Sequence, residues 1–140
     1  MRKEIGLSCA CFNLRRAARL VKQRFDRIFR EKGITANQFS ILMAVYNQKH
    51  VVLTRLARML GMERTTLSRN VSLLTRMGVI AIEVGTDKRE RKIAITKNGI
   101  TLLEKTLPLW QKVQNEVVEV IGRERWDGLL SGLHSVAKTL

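Results

Sequence analysis

A mainly α-helical fold carrying one small antiparallel hairpin, α+β by class, is predicted by three features of the sequence. Apolar residues recur at i, i+3, i+4 and i+7 through residues 8–31 and again through residues 100–140. Between these stretches, two short helical segments are separated by Gly61. Two β-branched runs, VIAIEV and RKIAI, then flank the polar turn GTDKRE.

The stretch from Leu53 to Thr96 organises the rest. Thr54 is expected to cap its first helix, because a hydroxyl can accept one of the free N–H groups at a helix start. Leu56, Ala57 and Leu60 form the apolar face, and Gly61 ends the segment. The second helix is expected after Glu63 and to about Met77. Leu67, Val71 and Leu74 point inward, while Thr65, Arg69, Ser72 and Arg76 point outward with Ser68 on the flank. That outer face has no acid and no large apolar group. Short hydroxyls with arginine suit a major groove, where they reach base edges and phosphates; a solvated helix start would also carry them.

Gly78 closes this helix, and strands Val79–Val84 and Arg91–Ile95 follow. The tip between them carries Asp87, Lys88, Arg89 and Arg91. A basic tip suits phosphate or a narrow minor groove, although turns are polar in most proteins. Its place directly after a helix pair favours the nucleic-acid reading. Helix, turn, helix and hairpin in this order make a winged helix-turn-helix, a DNA-reading module.

Taken together, Thr54–Gly61, Thr65–Gly78, Asp87-x-Arg89 and Ile95-Thr96-x-x-Gly99 resemble the MarR family of bacterial transcription regulators. The likeness extends over nearly the whole chain. It implies that the second helix enters the major groove through Thr65, Thr66, Ser68 and Arg69. It also implies that Asp87 and Arg89 pair in the wing, with the arginine in the minor groove. Arg64 and Ser72 extend the candidate recognition surface, Lys88 and Arg91 extend the wing, and Thr54 and Arg76 are candidate phosphate contacts. One departure stands out: where the family often places a basic residue, this chain has Ala81, Ile82 and Glu83. Lys88, Arg91 and Lys92 are the cations placed to compensate.

The formal charge of +14 supports a polyanionic partner. Residues 1–33 carry ten Lys/Arg against three Asp/Glu, and residues 51–97 ten against four, whereas residues 98–140 are balanced. A ribosomal or membrane-surface protein would also be basic, so charge alone selects no class. The aromatic content of 5% argues against stacking of single-stranded bases. No apolar run approaches the roughly 18 residues of a membrane span, and the basic, cysteine-containing start is too short a signal. A cytoplasmic protein without membrane association is expected.

One domain is expected over residues 1–140, with residues 34–97 as the DNA-binding part and residues 1–33 and 98–140 as dimerisation helices. The first helix, from about Ser8 to Glu31, carries the stripe Leu14, Ala17, Ala18, Val21, Phe25, Ile28 and Phe29 opposite a row of arginines. Thr35 or Asn37 then caps a largely apolar helix containing Phe39, Ile41, Leu42, Ala44, Val45 and Tyr46. After Thr96, a long helix contains Pro108, expected to bend it near Glu104–Leu107, and ends at Gly122. A last helix carries Trp126, Leu129, Leu130, Leu133, Val136, Ala137 and Leu140. So many apolar faces exceed what one small core can cover, so a homodimer is expected. Its two recognition helices, about 34 Å apart, would read a pseudo-palindrome.

Cys9 and Cys11 lie near a helix start among arginines, a setting that favours thiolate and oxidation. A bridge between positions i and i+2 is awkward, so a bridge to a second subunit is the better redox form. Small buried hydrophobes are the other reading. No catalytic pairing, phosphate-cradling loop or metal-ligand spacing is evident, so no enzyme, cofactor or metal is expected. The expectation is a sequence-specific regulator of double-stranded DNA, a repressor released by a small anionic or aromatic effector as the resemblance implies. The alternatives are redox control through Cys9 and Cys11, or nonspecific basic nucleic-acid binding.

Overall fold

The computed structural model describes residues 6–85, 87 and 89–140. Helix α1 (Ala10–Phe29) tightens into a 3-10 turn (Arg30–Lys32) and is followed by helix α2 (Ala36–Gln48). Strand β1 (Val51–Val52) leads into helix α3 (Leu53–Leu60) and helix α4 (Arg64–Arg76). Strands β2 (Ile80–Val84) and β3 (Arg91–Ile95) form the hairpin, and helices α5 (Lys97–Ile121) and α6 (Arg123–Thr139) complete the chain. The fold is mainly helical with a three-stranded antiparallel sheet in the order β1-β3-β2.

Strand β1 departs from the sequence expectation. Two residues are too few to show a period, and they become a strand only because β3 offers a free edge, pairing Val51 with Ile93 and Val52 with Lys92. This extra strand moves the start of α3. Val52 is the cap residue, so Thr54 is not the N-cap; it lies exposed in the first turn. The other expected stops hold. Gly61 (φ 59°) and Gly78 (φ 74°) take the left-handed angles that end α3 and follow α4, angles costly for any residue with a Cβ.

Thr35 caps α2 in a reciprocal box: its hydroxyl accepts from Gln38 N at 3.2 Å, and its own N–H donates to Gln38 Oε1 at 3.1 Å. Asp26 of α1 adds an outside acceptor, taking the Ala36 N–H at 2.7 Å. The core collects Phe29, Phe39, Ile41, Leu42 and Val45 under Leu56, Leu67, Val71 and Leu74. Each such side chain contributes about 1.5–3 kcal/mol by leaving water. Tyr46 does not join it; the ring is half-exposed at the end of the apolar run.

Helix α5 contains Pro108 without being divided there. It is tied to α1 by a two-point pair in which Arg24 Nε and Nη2 donate to Glu116 at 2.9 and 2.8 Å. Helix α6 buries no residue.

Candidate nucleic-acid interface

Helix α4 presents the predicted surface. Its buried face is Leu67, Val71 and Leu74, and the opposite face exposes Thr65, Ser68, Arg69, Ser72 and Arg76. Arg64, at the first helical position, is exposed too, while Thr66 is half-buried. Arg64, Thr65, Ser68, Arg69 and Ser72 line one shallow concavity together with Leu53. The structure therefore brings five of the six predicted recognition-helix residues onto one open surface and turns Thr66 partly aside. Thr54 lies exposed in the first turn of α3.

Two sets of contacts fix the direction of this helix. At its far end the Thr96 hydroxyl donates to Gly78 O at 2.6 Å, and Thr96 N–H donates to Val79 O at 3.1 Å. The same hydroxyl accepts from Gly99 N at 3.1 Å, so one threonine caps α5 and locks the wing base onto the end of α4. Gly99 is required by closeness: a Cβ there would lie 2.1 Å from Val79 O and 2.6 Å from Ile95 Cγ1. In its middle, α4 is held through Asn70, whose Nδ2 donates to Thr66 O at 3.0 Å while its Oδ1 accepts from Gln38 Nε2 at 3.5 Å. Sequence reasoning missed the Gln38–Asn70 link. The capping box at Thr35 was a readable signal for half of it; nothing local pointed to Asn70.

In the wing, β2 and β3 pair from Ile80 with Ile95 out to Val84 with Arg91. The tip closes through Gly85 N–H donating to Glu90 O at 2.8 Å and Glu90 N–H to Asp87 O at 2.9 Å. Asp87 does meet Arg89, but through the backbone: Arg89 N–H donates to Asp87 Oδ1 at 3.2 Å. Both side chains are exposed, as is Arg91. Among the described residues no ion pair engages the Arg89 guanidinium, which leaves its five donors for an outside acceptor. Lys88, also predicted for the wing, lies outside the described residues. Glu83, the acid at the departure from the family pattern, faces His50, with Nδ1 3.3 Å from Oε2. Arg55 and Arg58 of α3 are also exposed, and their i, i+3 spacing was the signal that could have singled them out.

The remaining candidates lie elsewhere. Cys9 is the cap residue of α1 and Cys11 is exposed; both thiols are free, in a concavity lined by Phe12, Arg15, Arg16 and Arg19. A larger apolar cleft opens between α1, α2, α3 and α5. Among the described residues no group of three His, Cys, Asp or Glu is placed to hold a metal ion, and no helix is long and apolar enough to cross a membrane.

Comparisons with known proteins agree on what this surface belongs to. A profile of the MarR family matches residues 32–90. The Mycobacterium tuberculosis transcriptional regulator MosR, in complex with DNA, is 38% identical; the alignment covers 95% of this chain and 100% of that one, with a TM-score of 0.77. The transcriptional repressor CouR, bound to a 23-mer DNA duplex, is 25% identical over 94% of this chain and 95% of that one, with a TM-score of 0.84. CouR from Rhodococcus jostii RHA1 bound to p-coumaroyl-CoA aligns at 19% identity over 93% and 92% of the two chains, with a TM-score of 0.81, a likeness of fold. No match is found among curated protein sequences. The profile match, together with 38% identity over the whole length of a transcriptional regulator, gives the conclusion: the chain belongs to the MarR family of DNA-binding transcription regulators.

Proposed function

We propose that this regulator is a repressor that binds a pseudo-palindromic operator as a homodimer and is released by a small ligand. The observation that carries the DNA part is the acid-free, exposed face of Thr65, Ser68, Arg69, Ser72 and Arg76, set beside a wing whose Arg89 guanidinium is unpaired among the described residues. Arg69 is the base-reading candidate, since a guanidinium can bridge two acceptors of guanine. Arg64, Thr65, Thr66, Ser68 and Ser72 complete the major-groove surface. Arg89 enters the minor groove with Asp87 bracing its turn, while Arg91, Thr54 and Arg76 hold phosphates. With its operator, the protein works in the cytoplasm.

The homodimer is supported by what one chain leaves uncovered. Leu7, Phe12, Leu14 and Leu20 are exposed at the first end, and Leu129, Leu133, Val136 and Leu140 at the other. A second copy related by a two-fold axis covers both sets and places the recognition helices about one DNA turn apart. The ligand acts by preferring a spacing of those helices that does not fit the groove, and it lowers operator affinity by that preference alone.

A second reading keeps the fold and replaces the ligand by oxidation. Its support is the arginine-lined placement of two free thiols, Cys9 and Cys11. Peroxide would oxidise one thiol to sulfenic acid with release of water; a thiol of the second subunit would then form the disulfide and release another water. Changing both to serine would leave DNA binding intact and abolish any response to peroxide.

The deciding experiment is selection from random duplex at about 0.15 M salt, where exposed charges are screened. An inverted repeat is the expected product. On that site, Arg69→Ala should lose about 1–3 kcal/mol and relax specificity at one position of each half-site. Arg89→Ala should weaken binding with less change in sequence preference. No enriched sequence would leave only nonspecific polyanion binding.

A further inference from the structure

We propose that Gln38 and Asn70 are positioning residues for operator reading. The amide–amide bond between them sets the roll of α4 about its own axis, and with it which base edges Thr65, Ser68 and Arg69 reach. This rests on the reading of α4 as the major-groove helix given above, and adds how that helix is aimed.

Apolar packing holds a helix without aiming it. Leu67, Val71 and Leu74 keep α4 on the core, but the hydrophobic effect that holds them there has no direction. A roll of about 10° moves a group roughly 6 Å from the helix axis by about 1 Å. A binding constellation needs its groups within about 0.5 Å, so such a roll is enough to spoil base readout. A directional contact is therefore required. Among the described residues, one hydrogen bond joins a side chain of α4 to another element: Gln38 Nε2 of α2 donates to Asn70 Oδ1 at 3.5 Å.

The sense of this bond is fixed from the α2 side. Gln38 is only 8% exposed, so both ends of its amide need partners within the protein. Its Oε1 accepts the Thr35 N–H of the capping box at 3.1 Å, which leaves Nε2 as the donor toward α4. Asn70 must then turn Oδ1 to Gln38 and Nδ2 to the Thr66 carbonyl, 3.0 Å away. Neither amide can flip without setting donor against donor or acceptor against acceptor. Asp26 of α1 fixes the same turn by taking the Ala36 N–H at 2.7 Å. The run from Thr35 through Gln38 and Asn70 ends at Thr66, in the turn of α4 that carries Thr65 and Arg69.

Gln38 is too buried to meet DNA, and Asn70 is half-buried, about 100° around the helix from the exposed Arg69. Their effect on the operator passes through the side chains that they aim.

Gln38→Glu and Asn70→Leu test this in the full chain near neutral pH. Glutamate keeps the capping box, since Thr-x-x-Glu closes it as Thr-x-x-Gln does, but its second oxygen faces Asn70 Oδ1 and cannot donate. Leucine removes both bonds of Asn70 and is a better helix former than asparagine. Binding is measured at about 0.15 M salt on the duplex selected by the wild type and on a scrambled duplex of the same length. Each variant should bind the selected duplex about tenfold more weakly. Affinity for the scrambled duplex, which phosphate contacts supply, should change by less than about twofold. For Asn70→Leu the salt dependence on the selected duplex should match the wild type, because no phosphate contact is removed.

An unchanged preference in both variants would overturn the proposal. A loss confined to one would overturn it too: Asn70 alone would then be a base reader, and Gln38 alone would act through α2. Equal losses on both duplexes would mark a general loosening of the fold and count against it as well. If the wild type enriches no duplex, the operator reading falls and this role falls with it. An enriched duplex with unmoved variants removes the positioning role and leaves the operator reading standing.

Discussion

The DNA-reading part and the two ends of the chain are built to different standards of completeness. Between Thr35 and Val79 the elements close on themselves: a reciprocal capping box, left-handed glycines after α3 and α4, and a shared core of Leu56, Leu67, Val71 and Leu74. At the ends, α1 buries only Phe29 and α6 buries nothing. Trp126 and Leu130 of α6 are half-buried, but Leu133 and Val136 are 37% and 45% exposed and Leu140 is open. The first region is satisfied within one chain; the second has an amphipathic pattern whose apolar stripe is left half uncovered. A surface helix can hide its stripe only against another element. The difference shows which faces one chain leaves uncovered, and it can be broken from either side.

Breaking the closed region should have the largest effect. Gly99→Ala puts a Cβ into Val79 O, a backbone atom that cannot step aside without loosening Thr96 from Val79 and Gly78. A loss of about 3 kcal/mol or more is expected, as for overpacking combined with lost hydrogen bonds. In thermal unfolding that lowers the Tm by about 10 °C for a chain this size. Gly128→Ala in α6 is the control: nothing lies within 4 Å of the added methyl, so better helix propensity should raise stability by up to about 1 kcal/mol. An undiminished Tm in Gly99→Ala would refute the idea that the wing base is locked by contact.

The ends should respond in assembly before they respond in fold. Leu133→Asp with Val136→Asp places two charges on the uncovered stripe and leaves the core untouched. The variant is expected to sediment as a monomer with wild-type helix content by circular dichroism. Its operator affinity should fall about a hundredfold or more, because the second half-site is no longer bound at high effective concentration. Sedimentation unchanged from wild type would remove these residues from the interface.

How much of this was legible in the sequence follows the same division. Local features were readable: Thr96 as a cap, Gly61 and Gly78 as stops, and the outward face of α4, each set by residues three or four apart. Thr54 was misplaced because Val51 and Val52 become a strand only in the presence of β3, some forty residues later. Gly99 was visible as part of a motif, but its reason was not, since the clash is with a carbonyl twenty residues away. The Arg24–Glu116 pair spans most of the chain, and the Gln38–Asn70 link crosses between elements. No periodicity carries such contacts. In the wing, the resemblance implied that Asp87 and Arg89 pair; among the described residues their contact runs from the Arg89 N–H to Asp87 Oδ1 and no ion pair joins the two side chains.

The smallest expected effect lies where the two regions join. Asp26 of α1 accepts the Ala36 N–H at the start of α2 and lies 2.6 Å from Lys22 Nζ. Burial pushes this carboxyl up, but the bond from Lys22, the bond from Ala36 N–H and the charges of Lys22 and Arg30 outweigh it. The net result is a pKa below the ordinary 3.8. A depressed acid stabilises the fold above its unfolded pKa, and that contribution disappears as the pH falls through the folded value. Asp26→Asn keeps an oxygen for Ala36 but loses the charge that favours a helix start. At neutral pH it should cost about 1 kcal/mol in denaturant unfolding. The gap between variant and wild type should close as the pH drops below 3.8, where the wild-type carboxyl gains its proton. A gap that persisted in acid would mean that Asp26 acts by shape alone, and that the junction between α1 and the DNA-reading part is held by packing rather than by charge.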